Sequence, residues 1–180
     1  MKGFNRRQTA LALLLFALAL LCAVTAAGVA LADQAMVTDF SRKNLAPCGQ
    51  FLFGTDWMGR DMLARTLTGL SLSIRIGLLT AAVSAVIALL LGAGSALLGG
   101  WVDSVISWVI DLVMGIPHIL LVMLISLAFG KGFTGVVAGV ALSHWTSLAR
   151  VVRGEVLQLK GAPYILTAQK LGLSRPAVLR

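Results

Sequence analysis

The sequence predicts an all-α, polytopic membrane protein with about four membrane-spanning helices, and three observations carry that reading. Of its 180 residues, 58% are hydrophobic and 12% charged, with a mean hydropathy of +0.93, against roughly half and a quarter in soluble globular domains. Four apolar stretches approach the ~20 residues that a helix needs to cross about 30 Å of hydrocarbon. The basic residues outnumber the acidic ones at both ends of the chain, whereas the long polar stretch after the first apolar run is balanced. The composition argues against a soluble enzyme or a nucleic-acid binder. The net charge of +8 and the sequence pI of about 10.6 then read as a topology signal rather than a phosphate-binding surface.

Residues 1–9, with Lys2, Arg6 and Arg7, read as a cytoplasmic N-terminus. Residues 10–32 (ALALLLFALALLCAVTAAGVALA) form the first span, a signal anchor. Its apolar length exceeds the core of about 7–15 residues found in secretory signals, although Ala30-Leu31-Ala32 also fits a small-residue cleavage site. On either reading Asp33 lies outside. Residues 33–73 form an extracytoplasmic loop in which Arg42, Lys43, Arg60 and Arg65 are balanced by Asp33, Asp39, Asp56 and Asp61. The second span runs from about Ile74 to Leu98. The third, from about Trp101 to Phe129, is interrupted by Asp103, Asp111 and Pro117, and the fourth covers Phe133 to Ala149. Gly99-Gly100 and Gly130-Lys131-Gly132 make the tight links between them. Arg150, Arg153, Lys160, Lys170, Arg175 and Arg180 follow the last span, which places the N-terminus and residue 180 in the cytoplasm. Gly135 and Gly139 form a small-xxx-small pair that permits close helix approach in lipid. Cys22 lies in an apolar run and Cys48 in a polar one, so both read as incidental rather than as a disulfide.

The search for chemistry is informative by what it fails to find. Lys131 sits in FGKGF, not in a Walker-type loop, and no paired-histidine metal motif occurs. The chain therefore reads as no enzyme, with no catalytic residue and no cofactor of its own. His118 and His144 are too few and too far apart in sequence to make a metal cage by themselves. Asp111, Pro117 and His118 are the candidates for a translocation path. Asp111 and His118 stand seven residues apart, about two helical turns, and so project toward a similar face, and an intramembrane polar group faces a bundle interior or a wet path. The plain alternative is an Asp held by interhelical hydrogen bonds and a His packed beside a kink. Pro117 should bend or break its span, as in the broken helices of many solute pathways. Gly92 and Gly94 permit close contact with that bend.

The residues also carry a resemblance. FGTDWMGRDMLAR, from Phe53 to Arg65, resembles the signature of C-type permease subunits of the peptide/nickel (oligopeptide, dipeptide, nickel) class of bacterial ABC importers. The match continues through Gly69, Ser71, Leu72 and Gly77, then Gly99-Gly100, Asp103, Asp111 and Pro117, to SHWTSLARVVR from Ser143 to Arg153, and covers about residue 50 to the end. It implies a six-helix type I importer permease fold, of which residues 74–180 are an incomplete transmembrane domain. It makes Gly54, Thr55, Asp56, Gly59, Arg60 and Asp61 an extracytoplasmic signature, in which Asp56, Arg60 and Asp61 lie close enough to form a local charge network.

The same resemblance implies a cytoplasmic coupling segment at 155–180 that docks on an ATPase subunit, with YILTAQKLG (Tyr164 to Gly172) at the so-called EAA motif. Tyr164, Thr167, Ala168 and Gly172 are its candidate residues: Ala168 is small enough for close contact and Gly172 ends the helix. Leu166 and Thr167 depart from the Glu and Ala common at those positions. A basic amphipathic helix lying on anionic lipid is the alternative. Trp108 stands where family members often carry Arg, three residues before Asp111, so Asp111 must find another partner or be solvated. ALSHW, Ala141 to Trp145, looks more like nickel-transporting members, which would make His118 a transient ligand of a metal or metal chelate. The implied partners are a homologous permease subunit in a heterodimer, two ATP-binding subunits holding ATP and Mg, an extracytoplasmic solute-binding protein and the lipid bilayer of the bacterial cytoplasmic (inner) membrane, with no nucleic acid. Family members carry two further helices after the coupling loop. A sequence stopping at Arg180 therefore reads as a fragment, or as a truncated or split gene whose product is a non-transporting membrane anchor. An intramembrane enzyme using Asp111 and His118 is a third alternative, set against the reading of the chain as no enzyme.

Overall fold

The computed structural model describes residues 6–172. Lys2, Arg175, Arg180 and the side chain of Ala168 lie outside the described residues, and with them the final part of the expected coupling segment. The described residues form seven α-helices and one 3-10 turn, and their single antiparallel bridge joins Thr55 and Asp61. Three of the helices are long and apolar enough to cross a membrane, and a fourth crossing is available if one sharply bent helix pair counts as a single broken span. The chain divides into two compact units, Met1–Leu78 and Leu79–Arg180.

In the first unit, α1 (Arg6–Ala30) presents its leucines outward, with Leu13 and Leu15 about two-thirds exposed. That is the expected state of a helix that faces lipid on most sides. The short α2 (Ala32–Met36) follows, then a 3-10 turn, Phe40–Arg42, whose N-cap Asp39 accepts the Ser41 N–H at 3.0 Å. The third helix, α3 (Met62–Leu98), begins in this unit and runs for 37 residues, about 55 Å at 1.5 Å per residue. It starts twelve residues before the expected second span and takes up the end of the stretch read as loop. Hydropathy reports the lipid-facing length of a helix, and the first turns of α3 are polar for another reason. The Thr68 hydroxyl donates to the Gly28 carbonyl and the Ser71 hydroxyl to the Thr25 carbonyl, each at 3.1 Å, with Ser71 fully buried. A Cβ at Gly28 would run into the Leu67 carbonyl and the Ser71 side chain. Small residues and hydroxyls thus bind these two helices where the hydrophobic effect offers little.

The second unit is built around α6 (Phe133–Lys160), which carries a run of buried small and polar residues: Gly135, Gly139, Ala141, Ser143, Thr146 and Ala149. The remainder of α3 packs on it through Ser84, whose hydroxyl donates to the Ala141 carbonyl at 2.9 Å, and through Gly92. Ala88, Ile110, Trp145 and Ala149 form the apolar core, flanked by Ile87, Leu91, Ile106 and Val109. The expected third span is two helices, α4 (Gly100–Gly115) and α5 (His118–Ala128), bent by 98° at the break. Ile116, with φ −86° and ψ 132°, is extended because a residue before proline is pushed out of the helical region. Past the Gly130–Gly132 link, α6 runs back along α5: a Cβ at Gly139 would lie 2.7 Å from the Val122 carbonyl, and one at Gly135 would lie 2.6 Å from the Ser126 carbonyl. The expected contact of Gly92 and Gly94 with the Pro117 bend is not what forms. Gly92 meets Ala149 and Val152 of α6, and Gly94 has open space beside it. The last helix, α7 (Pro163–Lys170), follows a two-residue link after α6 and opens with proline at its first position.

Candidate functional site: a cleft at the broken helix

The break between α4 and α5 opens a cleft of about 440 Å³ against α6, lined among others by Ile116, Pro117, His118, Ser143, His144 and Ser147. Pro117 caps α5 and sets His118 as its first helical residue, so the imidazole stands at the helix mouth. His144 reaches the same place from α6: the two rings meet edge to face, with centroids 4.8 Å apart and planes at 80°. Sequence separation hid this pair, because 25 residues intervene and the α5–α6 turn folds them back. A neighbouring hollow of about 370 Å³ is lined by Thr80, Ser84, His144 and Ser147. His144 and Ser147 therefore border both spaces. The lining combines hydroxyls and imidazoles with apolar side chains.

Asp111 does not share a face with His118, because the 98° bend falls between them. It pairs instead with Arg150 of α6, both side chains more than half exposed. Arg150 is thus the partner that the chain supplies in place of the missing Arg at Trp108. One turn further along α6, Arg153 forks onto Asp103, with Nε to Oδ1 and Nη2 to Oδ2 both at 2.6 Å. The sequence does hold a trace of both pairs. Two acids eight residues apart on one helix face two arginines three residues apart on another, but nothing local assigns the pairing.

The Gly54–Asp61 signature builds a folded loop. Thr55 is buried, with its hydroxyl donating to the Arg42 carbonyl and accepting the Leu45 N–H at 2.9 Å. Asp56 accepts the N–H groups of Met58 and Arg60 at 2.9 Å, the Arg60 guanidinium at 2.8 and 2.7 Å, and also Arg65. Gly59, at φ 74°, brings its Cα so close to the Asp39 carbonyl that no side chain fits. The expected network of Asp56, Arg60 and Asp61 is corrected on one member. Asp61 caps α3 by accepting the Leu63 N–H at 2.8 Å, and Arg65 takes its place beside Asp56. Burial raises the Asp56 pKa, but hydrogen bonds from Arg60 and Met58 and the Arg60 charge outweigh it and hold the carboxyl well below its ordinary value of 3.8. A carboxylate depressed in this way stabilises the loop above about pH 4 and loses that contribution only as pH falls through the lower folded value. Asp56→Asn should therefore make residues 37–60 sensitive to added protease at neutral pH, while the parent loop shows flat protection between about pH 5 and pH 8. A parent loop that loosens on going from pH 8 to pH 5 would contradict the assignment.

At the other end of the chain, α7 exposes Tyr164, and the Thr167 hydroxyl turns inward onto the Pro163 carbonyl at 2.8 Å. Gly172 follows with φ 81°, the left-handed conformation that commonly ends a helix.

A helical chain with three or four candidate membrane spans, a cleft at a broken helix and one short exposed helix after its last long one fits the architecture of a transport permease. Residues 84–180 match the model for binding-protein-dependent transport system inner membrane components, and the chain belongs to that family. Over 167 residues it is 30% identical to the dipeptide transport system permease protein DppC of Bacillus subtilis, covering 92% of this chain and 52% of that protein. It is 34% identical over 146 residues to the oligopeptide transport system permease protein OppC of the same organism, covering 78% and 48%. It is 33% identical over 137 residues to the probable D,D-dipeptide transport system permease protein DdpC of Escherichia coli, covering 76% and 46%. The chain spans about half the length of these curated relatives. The resemblance read from the signature residues agrees with these matches at the level of peptide permeases, and they do not distinguish the nickel class.

Proposed function

We propose that this chain is the permease subunit of an ATP-driven importer of peptides, with solute passing the cleft at the α4–α5 break. The observation that carries the reading is the joining of that cleft, through the continuous α6, to the short exposed helix α7. In this reading α7 docks on an ATP-binding subunit, which holds ATP and Mg, and a homologous permease supplies the other half of the path. An extracytoplasmic binding protein delivers solute on the side of the 33–61 loop, and the N-terminus and α7 face the cytoplasm. Tyr164, Thr167, Ala168 and Gly172 form the docking element.

Copurification in detergent tests this directly: the full-length protein should bring down its ATPase subunit. Failure to do so would favour a membrane anchor that does not transport. Gly172→Leu forces a side chain into the left-handed region at a cost of about 1 kcal/mol or more, and should reduce ATPase stimulation by loaded binding protein severalfold. Unchanged uptake and unchanged stimulation would refute the docking role. The edge-to-face meeting of His118 and His144 favours a second reading, a metal-chelate solute. Side-by-side uptake of nickel and a labelled dipeptide in cells without other importers separates the two.

A further inference from the structure

We propose that Arg153 and Lys160 are positioning residues that fasten the far end of α6 to the α3–α4 turn, so that displacement of α7 moves that turn and the break as one body. This inference rests on the docking of α7 proposed above. At 28 residues α6 is about 42 Å long, more than the ~30 Å of a hydrocarbon core. Its last turns therefore have no lipid to hold them in place, and a lever needs another restraint.

The contacts supply one in a single line along the helix. The Ala149 carbonyl and Val152 lie against Gly92, where a Cβ would stand 2.5 and 3.0 Å from them. Arg153 then grips Asp103, in the first turn of α4, with two parallel bonds of 2.6 Å. Lys160, at the last position of α6, donates to the Ala96 carbonyl at 2.7 Å. Ala96 lies in the final turn of α3, where carbonyls lack helical partners. The Ser95 hydroxyl, one residue before Ala96, donates to the Gly92 carbonyl at 3.0 Å. Positions 149, 152, 153 and 160 share one face of α6 at helical spacing. From Asp103, α4 continues uninterrupted to the break at Ile116 and Pro117.

The two ion pairs of α6 differ in kind. The Asp111–Arg150 pair is more than half exposed on both sides, whereas the Asp103 and Arg153 side chains are 23% and 32% exposed and joined by a fork. An exposed single-point pair holds weakly, and a planar bidentate one fixes orientation as well as distance. The forked pair is therefore the one able to carry displacement from α6 to α4.

The test uses the complete importer in proteoliposomes: full-length permease, its partner permease, the ATPase subunits and loaded binding protein, with a labelled dipeptide. Arg153→Gln should leave ATP hydrolysis within about twofold while dipeptide moved per ATP falls about tenfold, and Lys160→Met should lower the same ratio severalfold. Arg153→Lys, which keeps the charge without the fork, should restore part of it. A purely structural role would lower the yield of complex and leave the ratio of the assembled fraction unchanged, which overturns the proposal. If Arg153→Gln does not assemble, Asp103→Asn is read in the same way, and failure of both to assemble also overturns it. A parent complex that hydrolyses ATP but moves no dipeptide refutes the permease reading and this inference with it. A working parent with unaltered variants refutes this inference alone.

Discussion

A Gly139→Leu protein is expected to leave little folded permease in the membrane. Gly139 is buried in α6, and even a Cβ there would stand 2.7 Å from the Val122 carbonyl and 3.2 Å from a Val122 methyl. The first of these is backbone of α5, which cannot rotate aside as a side chain end can. Overpacking of a close-packed site costs typically about 1–3 kcal/mol, and leucine adds three further carbons beyond the clashing Cβ. Because α5 packs chiefly on α6 among the described residues, the expected consequence is loss of the hairpin rather than local adjustment. Thermal stability of the purified full-length protein and its amount in membranes should both fall, whereas Gly94→Ala, with open space at its Cβ, should change neither. Equal tolerance of the two substitutions would show that α5 does not pack on α6 as described.

Pro117→Ala is expected to spare assembly and reduce transport by about an order of magnitude. The break exists because proline removes an amide donor and pushes Ile116 into the extended region. Alanine lifts both restrictions and is the strongest helix former, so α4 and α5 gain access to a single helix from Gly100 to Ala128. A straightened helix withdraws His118 from His144 and closes the cleft of about 440 Å³. A cysteine pair at 118 and 144, oxidised in the parent background, offers an independent readout: cross-linking should drop when Pro117 is replaced. Full transport and full cross-linking in the Pro117→Ala background would mean that tertiary packing alone fixes the bend.

What the sequence could disclose depended on whether its cause was local. The break at Pro117, the small pair Gly135 and Gly139, and the helix end at Gly172 are backbone effects of single residues, and each stands in the structure where the sequence put it. The early start of α3 was hidden because Thr68 and Ser71 spend their polarity on the backbone of α1, which a hydropathy count reads as solvent exposure. Gly92 gave no sign of which helix it would meet, since a small residue marks close approach without naming the partner. The long-range polar pairs were the least legible. Asp103 with Arg153, Asp111 with Arg150, and His118 with His144 each join residues from different helices, and their pairing follows from the hairpin turns rather than from any motif. In the signature loop, Asp56 and Asp61 look alike in sequence, and only the start of α3 at Met62 makes one a helix cap and the other an ion-pair hub.

The most direct measurement is ATP-dependent accumulation of a labelled dipeptide by cells that lack other peptide importers and express the full-length protein with its partner subunits. Accumulation that needs this chain, stops on depletion of ATP and falls about tenfold with Pro117→Ala is the predicted result. Accumulation indifferent to the chain, or equal in the parent and the Pro117→Ala cells, would contradict the central claim that solute crosses at the broken helix.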